Sequence, residues 1–312
     1  MRRITALTLL LCLLLTACTP VNSPVTAPPA EEDSVTFTDA LDRSVTVARE
    51  PKRVAALIGS FASVWTLAGG ELAATANDAW TEFDLNLSED TVNLGKSTQA
   101  SLEKLLSVDP DFIIASVNTP LNLEWQETLE ALSIPTAYFD VNTFEEYLSM
   151  LDICTQITGR QDLYEANGAS VAEQVEAAVA RVNGNAPRVL VLRATAVSVK
   201  VKRSEGNVLG EMLRDLGCVN IADEDDTLLE QLSLERIMEA DPDCIFLVRQ
   251  GQDSPAIEKN LSALLTDQPA WASLTAVKEG RVYDMDPKLY NLKPNDRWGE
   301  AYETLAKLLY PS

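Results

Sequence analysis

The sequence predicts an α/β protein of two related lobes, each a mainly parallel sheet flanked by helices, joined by one long inter-lobe helix. Three observations predict it. Apolar runs of strand length alternate with helix-length patterns, as expected of strands covered on both faces. A fifteen-residue block recurs: residues 101–115 read SLEKLLSVDPDFIIA and residues 233–247 read SLERIMEADPDCIFL, identical in seven columns. The offset of 132 residues is too long for a solenoid period and suits a whole lobe. Between the two blocks, Gln161 to Val182 lacks proline and spaces Leu163, Val171, Val175, Ala178 and Val182 in a broadly helical way.

In chain order, Arg2 and Arg3 precede a mostly apolar run from Ile4 to Leu15. Twelve residues fall short of the ~20 needed to cross a bilayer, but they suit the core of a signal peptide over residues 1–17. Leu15-Thr16-Ala17-Cys18 resembles the bacterial lipobox, which implies that Cys18 is lipidated and becomes the first residue. Residues 18–34 then read as the lipidated Cys and a flexible tether, with Pro20, Pro24, Pro28 and Pro29 among small polar residues.

The N-terminal lobe is expected over 35–143. It opens with a hairpin, Val35–Asp39 and Ser44–Val47, around Leu41-Asp42-Arg43. Arg53–Ile58 reads as a buried strand that leads through Gly59-Ser60 into a helix ending at Gly69-Gly70. Asp111–Ala115, a helix near Leu123–Leu132 and Thr136–Phe139 continue the alternation. A helical linker over 144–186 contains the long helix, in which Gly168 costs ~1 kcal/mol relative to Ala. Asn183–Pro187 stops it, and the C-terminal lobe occupies 187–312, opening on the strand Arg188–Leu192.

Composition excludes whole classes of function. The chain of 312 residues is 46% hydrophobic and 23% charged, and 25 Lys and Arg against 47 Asp and Glu give a net charge of −22. Such a balance argues against nucleic acid as a partner. No histidine is present, which removes His-based acid–base catalysis, Ser-His-Asp triads and HExxH zinc sites. No nucleophile–base pair, phosphate loop or metal-ligand cluster stands out, so no enzyme activity, no cofactor and no direct metal site are expected. Cys154, Cys218 and Cys244 are widely spaced in apolar contexts and read as buried small hydrophobes.

Lipobox Cys, tether, hairpin, paired lobes and connecting helix together resemble the class III periplasmic binding proteins. These are the substrate-binding lipoproteins of ABC importers for iron–siderophore complexes, cobalamin and haem. The resemblance covers nearly all of 35–311 and is carried by PKRVAALIGSFASVWTLAGG, the repeated block, GNVLGEMLRDLGCVNIAD and PAWASLTAVKEGRVYDMD. At the hairpin turn the family often has Asp-Gly-Arg where this chain has Leu41-Asp42-Arg43. The resemblance implies a monomer anchored outside the cell membrane and partnered by an ABC permease dimer. It also implies that Glu103 and Glu235, at equivalent positions of the repeat, dock onto permease arginines. Each glutamate also suits the first turn of a helix on dipole grounds alone.

Ligands in such folds lie beyond the carboxyl ends of the strands. Following those ends gives Phe61, Trp80, Asn118, Arg193, Lys200, Lys202, Arg249, Tyr290 and Lys293 as candidate ligand-binding residues. Trp80 reads equally as a pocket aromatic or a packing lid. Arg193, Lys200, Lys202 and Arg203 crowd into eleven residues of an acidic chain, either to receive an anionic ligand or as a solvated hairpin. If the alternation of Val199 and Val201 with the lysines is a strand, both lysines share one face. Resemblance and charge together point to a ferric siderophore as the small-molecule metal chelate, with cobalamin or haem as alternatives and an extracytoplasmic enzyme on the same fold as the remote one.

Overall fold

The computed structural model describes residues 33–230, 232–251 and 255–311. The expected signal segment 1–17, the expected lipidation site Cys18 and the expected tether up to residue 32 lie outside the described residues. No helix among the described residues is long and apolar enough to cross a membrane.

The hairpin pairs β1 (Ser34–Thr38) with β2 (Ser44–Ala48) antiparallel. Asp42 takes φ of +57° at its turn, the left-handed region where the resemblance leads one to expect glycine. The Asp39 carboxylate holds that turn, accepting from the N–H groups of Leu41 at 3.0 Å and Arg43 at 3.1 Å.

Five strands follow: β3 (Val54–Ala56), β4 (Ala74–Thr75), β5 (Val92–Asn93), β6 (Phe112–Ser116) and β7 (Thr136–Phe139). They form one parallel sheet in the order β5-β4-β3-β6-β7. A second sheet comprises β8 (Arg188–Ala194), β9 (Val199–Lys202), β10 (Val219–Asn220), β11 (Cys244–Arg249) and β12 (Val282–Met285). Its parallel path runs β10-β8-β11-β12, and β9 pairs antiparallel with β8. The first sheet therefore lies inside 35–143 and the second inside 187–312.

Side-chain alternation divides each sheet between two cores. Val54, Ala56, Phe112 and Ile114 of the first sheet, with Val189, Val191, Phe246 and Val248 of the second, join one shared cluster. The odd partners Ala55, Ile113 and Ala115 face a separate core, and Leu190, Leu192, Ile245 and Leu247 face a third. Near-continuous apolar runs were required because both faces of both sheets are covered.

The repeated block has the same anatomy twice. Ser101 and Ser233 cap the helices Leu102–Ser107 and Leu234–Ala240, accepting from the N–H groups of Lys104 and Arg236. Asp109 and Asp241 then adopt left-handed φ of +47° and +40°. Asp111 accepts from the N–H groups of Lys52 at 2.9 Å and Arg53 at 2.8 Å, and Asp243 accepts from that of Arg188 at 2.8 Å. The second aspartate of each DPD thus clasps the chain entering the neighbouring strand, β3 or β8.

The connecting segment departs from a uniform helix. Helix Phe144–Thr158 begins with a capping box between Thr143 and Glu146 and ends at Gly159. From Gln161 the chain is helical to Tyr164, makes a π-helical turn over Glu165–Ala169, and resumes as the helix Ser170–Val179, short of the expected Val182. Gly168 sits in the π turn, where a Cβ would come within 3.2–3.3 Å of Leu151, Leu148 and Tyr164, so the wider turn fits this crowded crossing. The helix Ser170–Val179 packs on the C-terminal helix Trp298–Leu309. Trp298, Tyr302, Phe144 and Tyr147 fill the shared core between them. The three cysteines are free and buried, and burial pushes the Cys218 thiol up to about 12.

Candidate functional site

Register across β8–β9 decides where the cations go. Arg193 pairs with Lys200 and Val191 with Lys202, so all four side chains share one sheet face. Leu192, Ala194, Val199 and Val201 take the opposite face and are buried in the second-sheet core. Val248 stands beside Arg193 across β8–β11. The cationic face is thus the one that carries the shared core, continued past the point where apolar side chains end.

There a cavity of about 280 Å³ opens, lined by Val191, Arg193, Lys202, Val248, Tyr290 and Lys293 from the second half, together with the segment Gly206–Leu209 and Asn291. Asn118 and Asn142 face them from the first half. The position follows from topology. In each sheet strand order reverses between its first strand and the parallel neighbour from later in the chain, β3 and β6 or β8 and β11. Such switch points leave a crevice at the carboxyl ends of the strands.

The electrostatics are one-sided. Burial lowers the pKa of Arg193, and burial followed by the charges of Arg193 and Lys200 lowers that of Lys202. Lys293 is brought down to about 8 by burial, against the opposing pull of Asp140 and Glu146. None of the three has a carboxylate within ion-pair distance among the described residues; Arg193 reaches only Asn291 Oδ1 at 3.4 Å. On the facing wall the Asp140 carboxylate accepts from Nδ2 of both Asn118 and Asn142 at 2.6 Å. Lys293 Nζ crosses to donate to Asn142 Oδ1 at 3.0 Å. Partly dehydrated cations without counter-charges, beside carboxamides, can receive an anion carrying several oxygens.

A model of the family described as "Periplasmic binding protein" matches residues 54–289. The chain belongs to the periplasmic binding protein family. It is 23% identical over 286 residues to an uncharacterized ABC transporter substrate-binding lipoprotein, YvrC, of Bacillus subtilis, covering 89% of this chain and 86% of that one. It is 25% identical over 286 residues to the Fe(3+)-citrate-binding protein YfmC of the same organism, covering 89% and 87%. Other curated relatives are named for haem uptake and for cobalamin binding. Among solved structures, Staphylococcus aureus SirA complexed with staphyloferrin B superposes with a TM-score of 0.66 at 20% identity, covering 88% of this chain and 97% of that one. This is a binding protein rather than an enzyme.

Five of the nine candidate residues of this periplasmic binding protein line the cavity: Asn118, Arg193, Lys202, Tyr290 and Lys293. Four do not. Phe61 is 1% exposed and packs edge-on against Phe139 inside the core. Trp80 packs against the same core from the short helix Asp78–Thr81, and the Gly59 N–H bonded to Asp78 Oδ2 at 2.9 Å holds both segments there. Lys200 is exposed outside the cavity, adding its field without lining it. Arg249 is taken up by Glu258 and Asp284, because it sits one residue past Val248 and points to the other sheet face. Arg203 is likewise paired, with Asp226.

Asn142, Asp140 and Asn207 were missed. Asn142 and Asp140 follow directly on β7, so the strand-end rule that found Asn118 after β6 would have found them too. Asn207 caps the helix Val208–Asp215, accepting from the N–H of Gly210, and a Gly-Asn pair before an apolar helix was the available signal. Glu103 and Glu235 are both exposed in the first turns of their helices, are not among the residues that line the cavity, and make no ion pairs among the described residues.

Proposed function

We propose that this periplasmic binding protein captures an anionic iron–siderophore complex in the cavity between its two sheets and delivers it to an ABC permease. One observation carries the ligand class: Arg193, Lys202 and Lys293 are unpaired in the cavity of a chain whose net charge is −22. Forty-seven acidic residues were available to neutralise them, and ion pairs do so for Arg203 and Arg249 close by. A ligand that supplies the missing negative charge accounts for the difference. Iron itself needs its own chelator, since the described residues contain no group of three or more His, Cys, Asp or Glu able to hold a metal.

Lys202, Arg193 and Lys293 would hold the anionic oxygens, Asn118 would supply polar contact from the facing wall, and the ring of Tyr290 would give apolar support. Tyr290 is fixed for that role by its OH, which donates to the Ala301 carbonyl at 3.0 Å. A flat corrinoid or haem fits less well, because Tyr290 is the one aromatic side chain among the described residues lining about 280 Å³. In the same reading Cys18 carries the lipid anchor, and Glu103 with Glu235 present two equivalent carboxylates to the two-fold permease.

The deciding experiment is intrinsic-fluorescence titration of residues 19–312 with ferric siderophores, haem and corrinoids, from low to high salt. Charge-assisted contacts are worth ~1.5–3 kcal/mol each, so Lys202→Ala or Arg193→Ala should weaken an anionic ferric chelate roughly tenfold to a hundredfold. Tight, salt-insensitive binding of a corrinoid, unchanged by those substitutions, would overturn the ligand assignment.

A further inference from the structure

Among the described residues, Asn142 makes the one hydrogen bond that joins the two cavity walls, to Lys293 from 151 positions away in the chain. Its orientation is not free. The Asp140 carboxylate can only accept, so at 2.6 Å it must face Nδ2 of Asn142, and the same holds for Asn118. With its amide nitrogen committed, Asn142 presents Oδ1 to the cavity. The backbone is pinned as well: the Glu146 carboxylate accepts from the N–H groups of Asn142 at 2.6 Å and Thr143 at 2.9 Å, within the cap of the Phe144–Thr158 helix. A neutral carbonyl oxygen rigidly aimed at an ammonium group is an acceptor that can hold it but not neutralise it.

Resting on the anion-binding reading above, we propose that Asn142, aimed by Asp140, is a positioning residue that parks Lys293 across the cavity until an anionic ligand oxygen takes its place. Its carbonyl keeps the ammonium solvated in the empty cavity. An anion then outcompetes it, because a charged acceptor binds an ammonium more strongly than a neutral one. A carboxylate at position 142 would trap Lys293, and no polar group there would leave it free. The charged groups around Lys293 are Asp140 and Glu146 from the first half, and Arg193 and Lys202 from the second. The arrangement favours anionic over neutral ligands without Asn142 touching either.

The test uses ferric citrate with citrate in excess as the anionic probe, on wild type, Asn142→Asp, Asn142→Ala and Asp140→Asn, each checked by thermal melting. Asn142→Asp should bind at least tenfold more weakly than wild type with a shallower salt dependence, and at least threefold more weakly than Asn142→Ala. The pH midpoint of Lys293, followed by the pH dependence of its acylation, should move up in Asn142→Asp and down in Asn142→Ala and Asp140→Asn. The downward shifts remain readable from the alanine and Asp140→Asn variants even if Asn142→Asp fails to fold. Equal losses of affinity in the Asp and Ala variants, or a Lys293 midpoint unmoved by all of them, would overturn the parking role and make Asn142 a direct contact or a scaffold. Failure of wild type to bind the probe, while neutral ligands bind, would instead sink the anion-binding reading on which the proposal rests.

Discussion

Arg193 and Lys200 stand directly opposite each other across the antiparallel β8–β9 pair, two cations on one face of the sheet. Like charges placed so destabilise a sheet, and no carboxylate pairs with either among the described residues. Lys200→Glu should therefore stabilise the protein by ~0.2–1 kcal/mol through a cross-strand ion pair. It should also weaken binding of anionic chelates, since the new pair occupies Arg193. Urea denaturation and ligand titration of the same variant read both effects, and a variant both less stable and unchanged in affinity would contradict the account.

Lys293 makes a separate prediction about pH. Its pKa of about 8 lies below the ordinary 10.5, so between these values the unfolded chain holds a proton that the folded protein has lost. Stability contributed by this group is then lowest below pH 8 and rises as pH climbs through the window towards 10.5. Lys293→Met should be more stable than wild type near neutrality, with the difference shrinking as pH rises from 8 to 10. Affinity for an anionic chelate should fall in wild type over the same rise. Parallel stability–pH curves for the two proteins would refute this.

Glu103 and Glu235 are exposed, stand at equivalent positions of the repeat and do not line the cavity. Replacing both with alanine should abolish permease-dependent uptake while ligand affinity stays within about twofold, well under the ~1.4 kcal/mol of a tenfold change. Stability should change little, because each glutamate contributes only the ~0.3–1 kcal/mol of a first-turn carboxylate at an exposed helix start. A large affinity loss would place them in the binding site instead.

Gly210 carries the last prediction. A Cβ there would lie 2.3 Å from the Arg203 carbonyl oxygen and 2.5 Å from that of Ser204. Alanine would gain up to ~1 kcal/mol of helix propensity, but displacing backbone costs ~1–3 kcal/mol, so Gly210→Ala should be net destabilising. The displaced backbone leads directly into Gly206 and Asn207 of the cavity wall, so affinity should fall together with stability. Melting temperature and titration on one preparation check both, and unchanged affinity would show the wall to be independent of this packing.

Much of the architecture was legible because it is written in local periodicity. Alternating Val and Lys over 199–202 assigned faces before any fold was known, and β9 buries Val199 and Val201 as that pattern requires. The DPD of each repeat marked a strand start because Asp111 and Asp243 act within their own lobe. The π turn at Gly168 was not legible: it answers to Leu148 and Leu151 of a neighbouring helix, not to any signal in its own segment.

The sequence by itself determined the alternation of strands and helices, the internal repeat, the acidic balance and the local crowd of cations. Those properties depend on residues close together in the chain, where spacing and chemistry suffice. Only the tertiary structure decided which cations meet. Lys293 and Asn142 are brought together by the shared core that packs the two sheets, whereas Arg249 is lost to Glu258 and Asp284 through the parity of one strand residue. Phe61 and Trp80 went to the core for the same reason: an apolar ring at a strand end is claimed by whichever buried surface the fold closes over it, and the sequence does not contain that surface's position.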